Sequence, residues 1–133
     1  MSYLPNLIRK GAEMTNPGTQ AYYKPSTDEA CVIGAAAIGL KGKLKCRTVA
    51  NEEVIGITAV CIDEGTRLPN GEELSRDHAL TAVLVELNDG TDLSREAIAE
   101  WLEEEISDEK LYVDDPSEED DEEEEEDREL QPA

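Results

Sequence analysis

Three cysteines and the single histidine of the chain are the residues whose types could support metal binding or covalent catalysis. They are Cys31, Cys46 and Cys61, which recur every fifteen residues, and His78. Three thiolates and an imidazole could hold zinc, but no two of them have the short Cys-x-x-Cys spacing of recognisable zinc sites. One imidazole is also weak support for a nucleophile–base pair. We therefore expect no metal, no cofactor and no catalytic residue, and we interpret the cysteines as buried, small apolar side chains.

A second set of residues, all carboxylates, has the spacing of a helical face. The set recurs every four residues and comprises Glu96, Glu100, Glu104 and Asp108. On one helix neighbours in this row would lie about 6 Å apart along the axis. Repulsion at that spacing costs about 1 kcal/mol for the whole row, which burial of the opposite apolar face can offset. The row is either a solvated face or a contact surface for a basic partner. Ser94 starts this last helix, and its apolar stripe is Ile98, Trp101, Leu102 and Ile106.

The last twenty residues have the most unusual composition. The segment 114–133 holds thirteen carboxylates and one cation, Arg128, so it carries −12 of the formal charge of −21. So dense a run of like charge cannot bury enough apolar surface to offset chain entropy, which predicts a disordered tail. Its partner must be cationic, which argues against direct binding to nucleic acid or to an anionic membrane. The candidate partner contacts in the tail are Asp120, Asp121, Glu122, Glu123, Glu124, Glu125 and Glu126.

Two adjacent tyrosines, Tyr22 and Tyr23, lie in a predicted loop beside Lys24 and Pro25. Tyrosine is common at protein interfaces, so both are candidate partner contacts. The alternative interpretation is that one of them packs over the helix of small residues that follows.

Apolar residues at helical spacing predict a short first helix within 2–14, with Gly11 suited to its end. Pro and Gly predict a loop over 16–25. The only basic cluster follows later and comprises Lys41, Lys43, Lys45 and Arg47. The tail could fold back on this cluster and mask it.

A capping box formed by Ser26 and Glu29 predicts the start of a second helix over 30–40. Gly42 is expected to end it, since glycine is favoured just after a helix. The helix is rich in Ala and Gly, and such small residues allow another backbone to approach closely.

The middle of the body is less clear. A third helix that is capped by Asn51, runs through Cys61 and closes near Gly65 is one alternative. A strand over 54–62 is the other, because β-branched residues are dense there. The segment 68–71 is predicted to be a turn, and a further helix, capped by Asn70 and Glu73, is predicted to run to residue 87.

The length predicts one domain, 1–113, followed by the disordered tail, 114–133. The fold class is mainly α: a small bundle of four to five helices, with room for one short β element. No cationic start leads into an apolar run, and the longest apolar stretch is too short to span a bilayer, so we expect no signal peptide and no membrane partner. We expect a reduced, cytoplasmic location.

Three sequence elements occur together: Cys31-Val32-Ile33-Gly34-Ala35-Ala36, Leu87-Asn88-Asp89, and Arg95-Glu96-Ala97-Ile98 with Trp101-Leu102. In this combination the chain resembles a loose group of small helical proteins of phages and bacteria, described mainly as domains of unknown function. The resemblance implies a helical fold and a phage origin, with the host cytoplasm as location, and it brings no catalytic residues.

These observations favour a non-enzymatic, acidic binding protein that occupies a basic protein surface. A finer hypothesis is a phage-encoded mimic of nucleic acid that inhibits a host protein. The alternative is a structural or assembly accessory protein of a virion, in which the tail only keeps the protein in solution. In that case the small-residue helix over 30–40 would be the surface of a homo-oligomer.

Overall fold

The computed structural model describes residues 2–19, 22–44, 56 and 60–113. Within these ranges the chain forms five helices and seven two-residue strands. The helices are α1 (Leu4–Met14), α2 (Val32–Lys41), α3 (Leu80–Gly90), α4 (Arg95–Glu105) and α5 (Asp108–Leu111). The strands are β1 (Ser2–Tyr3), β2 (Asn16–Pro17), β3 (Tyr23–Lys24), β4 (Glu29–Ala30), β5 (Cys61–Ile62), β6 (His78–Ala79) and β7 (Tyr112–Val113).

The strands form three small sheets between the helices. β1 pairs antiparallel with β7, and β5 pairs antiparallel with β6. The third sheet has the order β2-β4-β3, with β2 parallel and β3 antiparallel to β4. The five helices of the described residues agree with the expected four to five, but the fold is not plainly an all-helical bundle, because three small sheets replace the one short β element that was expected. Strands of two residues are too short to show the alternation that predicts a strand from sequence.

α1 and α2 cross in direct backbone contact at the centre of the core. Gly11 of α1 is buried against the backbone of Ala35, and Gly39 of α2 lies against the backbone of Leu7. Gly11 therefore does not end the first helix, as expected from its type, because α1 continues to Met14. Here glycine is required by close packing and not by a turn.

α2 is enclosed by its own chain. Eight of its ten residues, from Val32 to Gly39, are buried, and α1 covers much of its surface. The expectation that this helix is a self-association surface is therefore wrong. Its end is confirmed at Gly42, which has a φ of +91° and whose N–H donates to the carbonyl of Ile38.

The predicted capping box does not form. Pro25–Asp28 make a four-residue turn that joins β3 to β4, so Glu29 lies in a strand, and α2 begins at Val32 behind the N-cap Cys31. Asp28 adopts a φ of +60°, a left-handed conformation that suits a hairpin turn and not a helix start.

The region before α3 also differs from expectation. The predicted helix over 70–87 is wrong in its first half, since Arg67 and Glu73 form an isolated bridge and His78 lies in β6. The turn over 68–71 is confirmed by the hydrogen bond from the Gly71 N–H to the Leu68 carbonyl, 2.9 Å long.

Of the two alternatives for the middle segment, the described part favours the strand, because Cys61 and Ile62 form β5. The rest of the range 51–59, apart from Gly56, lies outside the described residues, as does the tail predicted to be disordered. In the part of the chain that the structure describes, no helix is both long and apolar enough to cross a bilayer.

Candidate acidic binding surface

α4 carries the carboxylate row that the sequence indicates. Ser94 is confirmed as the N-cap, and its hydroxyl accepts a hydrogen bond of 3.0 Å from the Ala97 N–H. The predicted apolar stripe faces the core: Ile98 and Leu102 are completely buried, and the indole N–H of Trp101 donates to the Arg67 carbonyl at 2.8 Å. Because the apolar stripe packs into the core, the opposite face of α4 must point to solvent.

Glu96, Glu100 and Glu104 are all exposed on that opposite face. Asp108 is exposed too, but it does not continue the row. α4 ends at Glu105, Ile106 turns extended so that its side chain reaches the core, and α5 begins at Asp108. A single helix over the whole row was expected, so this is a correction. We call the exposed carboxylates of both helices the acidic surface; they are Glu96, Glu100, Glu104, Glu105, Asp108 and Glu109.

One carboxylate of α4, that of Glu103, is paired with a cation of α1, Arg9. Glu103 is half-buried and accepts two hydrogen bonds from the Arg9 guanidinium, 2.7 and 2.8 Å long. These bonds lower the pKa of Glu103, and the same bonds raise the pKa of Arg9. The pair fixes α4 against α1, so the acidic surface is held on a rigid support.

Two tyrosines that sequence reasoning missed adjoin the acidic surface. Tyr3 of β1 and Tyr112 of β7 are paired across the strands, with ring centroids 5.1 Å apart and planes inclined by 44°. The Tyr3 hydroxyl donates to the Asp108 carboxylate at 3.1 Å. Partial burial of the phenol, together with this negative charge, raises the pKa of Tyr3. The only signal in the sequence was the β-favouring Tyr-Val pair at 112–113.

The tyrosines that the sequence did indicate lie elsewhere. Tyr22 and Tyr23 are half-buried and pack against the core, which favours the alternative interpretation of packing over the small-residue helix. The Tyr22 carbonyl lies directly over Gly34 of α2. The Tyr23 hydroxyl donates to the Asp28 carboxylate at 2.9 Å, and Asp28 also binds Lys43 at 3.0 Å.

Lys43 was one of the cations on which the tail could fold back, and it already has Asp28 as its partner. Lys45 and Arg47, and the candidate tail contacts over 120–126, lie outside the described residues. The last described residue, Val113, ends β7 beside β1.

Cys31, Cys61 and His78 have separate environments, and Cys46 lies outside the described residues. Cys31 is buried at the start of α2, where its sulfur accepts a hydrogen bond from the Gly34 N–H and burial raises the pKa of its thiol. Cys61 is exposed on β5, so the expectation of a buried thiol holds for Cys31 and is wrong for Cys61. His78 Nδ1 lies 2.8 Å from the Arg76 carbonyl oxygen. Among the residues described, no group of three or more metal-ligating side chains could hold an ion.

A buried arginine is the other residue that sequence reasoning missed. Arg95 is only 5% exposed, and its guanidinium donates to the Thr15 hydroxyl and carbonyl and to the Ala12 and Ala30 carbonyls. Loss of hydration lowers the pKa of this arginine. Its cation lies at the end of α1, where the helix dipole favours positive charge. The sequence carries no signal for this burial, since charged residues are rarely found inside a protein.

Asn88 makes a similar link from α3. Its side-chain oxygen accepts from the Val32 N–H at 2.9 Å, and its amide donates to the Gly18 carbonyl at 2.9 Å. Arg95 and Asn88 line a cleft of about 330 Å³. Both side chains bind the protein's own backbone, so we interpret the cleft as a structural junction between the three-stranded sheet, the end of α3 and the start of α4.

Searches of protein-family models, of curated proteins and of solved structures found no match to this chain.

Proposed function

We propose that the chain is a non-enzymatic binding protein that docks onto a basic surface of another protein through its acidic surface. The observation that carries the proposal is the geometry of α4. On one face of α4, Ile98 and Leu102 are completely buried. On the opposite face Glu96, Glu100 and Glu104 are exposed and have no ion pair within the described residues. A surface of this kind fits a partner rich in lysine and arginine.

Rigidity supports this role. Ser94 caps α4, the Arg9–Glu103 pair fixes α4 to α1, and the Trp101 indole binds the Arg67 carbonyl. The carboxylates on α4 therefore need little further ordering when a partner binds, which reduces the entropic cost of association. Their repulsion is already balanced by the packing of the same helix.

The tail adds charge to this surface in the proposal. Stretched at ~3.3 Å per residue, its thirteen carboxylates over twenty residues give one charge every ~5 Å, against ~3.4 Å along one DNA strand. This density is enough to compete for a DNA-binding face, so our finer proposal is mimicry of nucleic acid. The resemblance to small phage proteins is compatible with an inhibitor in a host cytoplasm.

The test measures displacement of a labelled DNA duplex from a panel of basic DNA-binding domains. Glu96, Glu100 and Glu104 are replaced together by Gln in the full chain. Three exposed ionic contacts of ~0.5 kcal/mol each predict about tenfold weaker displacement. A matched control replaces Glu64, Glu72 and Glu73, which are exposed on the 63–73 loop and carry the same total charge.

The proposal fails if the two triple variants weaken displacement equally, since only net charge would then matter. Binding by the intact chain should also weaken steeply with salt, because exposed charges are screened over ~8 Å at physiological ionic strength. A chain ending at Val113 measures the contribution of the tail, and unchanged affinity would remove the tail from the mechanism.

A further inference from the structure

We propose that the acidic surface selects arginine over lysine, and that Tyr3, Tyr112 and Asp108 form the contact that does so. We call these three residues the tyrosine patch. The inference rests on the proposed function and specifies the chemistry of the partner: a peptide segment rich in arginine, one of whose guanidinium groups lies on the exposed ring of Tyr112.

The two rings are held in place by the fold. Tyr3 and Tyr112 occupy paired positions on β1 and β7, and Tyr3 packs against the core on its inner side. Tyr112 nevertheless keeps 46% of its surface exposed, although its neighbour Val113 is buried. An aromatic ring that is both exposed and fixed loses little conformational freedom on contact with a partner.

The patch carries unneutralised negative charge. Within the described residues the only partner of the Asp108 carboxylate is the Tyr3 hydroxyl, at 3.1 Å. The charges of Asp108 and Glu103 both act on the Tyr3 phenol, and the charge of Glu100 acts on Arg9, which binds Glu103. Asp108 is itself one of the exposed carboxylates of the acidic surface, so the patch adjoins that surface at α5.

This combination of groups favours a guanidinium. An arginine side chain can stack its flat face on an aromatic ring while its N–H groups donate to a nearby carboxylate. A lysine ammonium is more strongly hydrated and cannot stack in this way. A nucleobase could also stack on Tyr112, but the carboxylates around the patch would repel its phosphate.

The experiment compares two peptides of equal length and charge, one with four arginines and one with four lysines, by titration calorimetry against the full chain. One stacked guanidinium predicts about two- to fivefold tighter binding of the arginine peptide. In Tyr112→Leu, which keeps an apolar side chain but lacks the aromatic face, the preference should fall. In Tyr3→Phe, which keeps both rings, it should persist.

Met14→Ala is the matched control, because Met14 is also an exposed apolar side chain, 40% exposed, at the far end of α1. It should leave the preference unchanged. Unfolding curves check each variant, and the tyrosine ring signals of the wild-type protein give a second measurement by NMR. These signals should shift with the arginine peptide more than with the lysine peptide, whatever the stability of the variants.

The outcomes separate this inference from the proposed function. Equal binding of both peptides, an unchanged preference in Tyr112→Leu, or ring signals that do not move would overturn the tyrosine patch and leave the acidic surface standing. Failure of both peptides to bind would overturn the two proposals together.

Discussion

Gly11 of α1 and Ala35 of α2 are in backbone contact. A Cβ atom placed on Gly11 would overlap the Ala35 carbonyl oxygen and lie 2.8 Å from the Ala35 Cα atom. This crossing sets the position of α1, and α1 in turn carries Arg9 to Glu103 and follows directly after Tyr3. The geometry of the acidic surface therefore depends on a glycine far from it in sequence.

Gly11→Ala should destabilise the fold severely. The added methyl group meets backbone, which cannot move aside as a flexible side chain can, so we expect a loss of about 3 kcal/mol in the free energy of unfolding. Urea unfolding followed by circular dichroism measures it. Gly90→Ala is the control, since nothing lies within 4 Å of a Cβ at Gly90, and it should be neutral or slightly stabilising. Similar stabilities of the two variants would contradict the helix crossing described.

Arg95→Met should also be strongly destabilising, for a different reason. The substitution keeps much of the side-chain volume but removes the Arg95 donor from the carbonyls of Ala12 and Thr15. The Ala30 carbonyl loses one of its two donors and keeps the Gly18 N–H. Buried acceptors without partners cost about 1–3 kcal/mol each, reduced by relaxation, so we expect a total loss of about 3 kcal/mol. Arg76→Met, at an exposed position, should change the free energy of unfolding by less than ~0.5 kcal/mol. A free energy of unfolding that is unchanged in Arg95→Met would show that the guanidinium does not hold these segments together.

The pH dependence of stability should change in Asp28→Asn. Hydrogen bonds from Lys43 and Tyr23 lower the pKa of Asp28 below its ordinary value of 3.8, so the ionised form stabilises the folded state. That contribution is complete above the ordinary value and is lost as pH falls through the lowered one. The stability difference between wild type and variant should therefore be constant between neutral pH and pH 3.8, and it should shrink only below pH 3.8.

Asparagine suits this test because it tolerates the left-handed conformation of residue 28, where φ is +60°. The exposed Asp92→Asn variant serves as reference for removing one negative charge from a chain of −21. A difference that stays the same down to the most acidic conditions would mean that the carboxylate is not stabilised by Lys43 and Tyr23.

Thiol reactivity should differ sharply between two cysteines. Burial raises the pKa of Cys31 and excludes reagent, whereas Cys61 is exposed on β5. Because the thiolate is the reacting form, a short treatment of the native protein with iodoacetamide should label Cys61 and spare Cys31. Peptide mass spectrometry assigns the label to each cysteine. Equal labelling in the native state, with equal labelling in urea as reference, would contradict the burial of Cys31.

Local sequence signals predicted the elements that depend on local energetics. The N-cap Ser94 and the apolar stripe through Ile98 and Leu102 identified α4, and Gly42 identified the end of α2. In these cases capping and helical periodicity agree with the packing, so nothing in the rest of the fold overrides them.

The failures occurred where distant partners decide the conformation. The capping box at Ser26 and Glu29 does not form, because Glu29 pairs with Asn16 of β2 as well as with Lys24, and Asp28 binds Lys43. In the candidate site, the row was predicted correctly as far as Glu104, but the contact between Tyr3 and Tyr112 joins opposite ends of the described body. No periodicity in a single sequence reports a contact of that separation.

The pairing of β1 with β7 gives neighbouring backbones a spacing of about 4.8 Å, so Ser2 and Val113 lie side by side. An affinity tag fused ahead of Ser2 would start close to the carboxylates of α5, because α5 leads directly into β7. A polyhistidine or lysine-rich tag there would act as a tethered competitor at high effective concentration and would mask binding that an untagged chain displays.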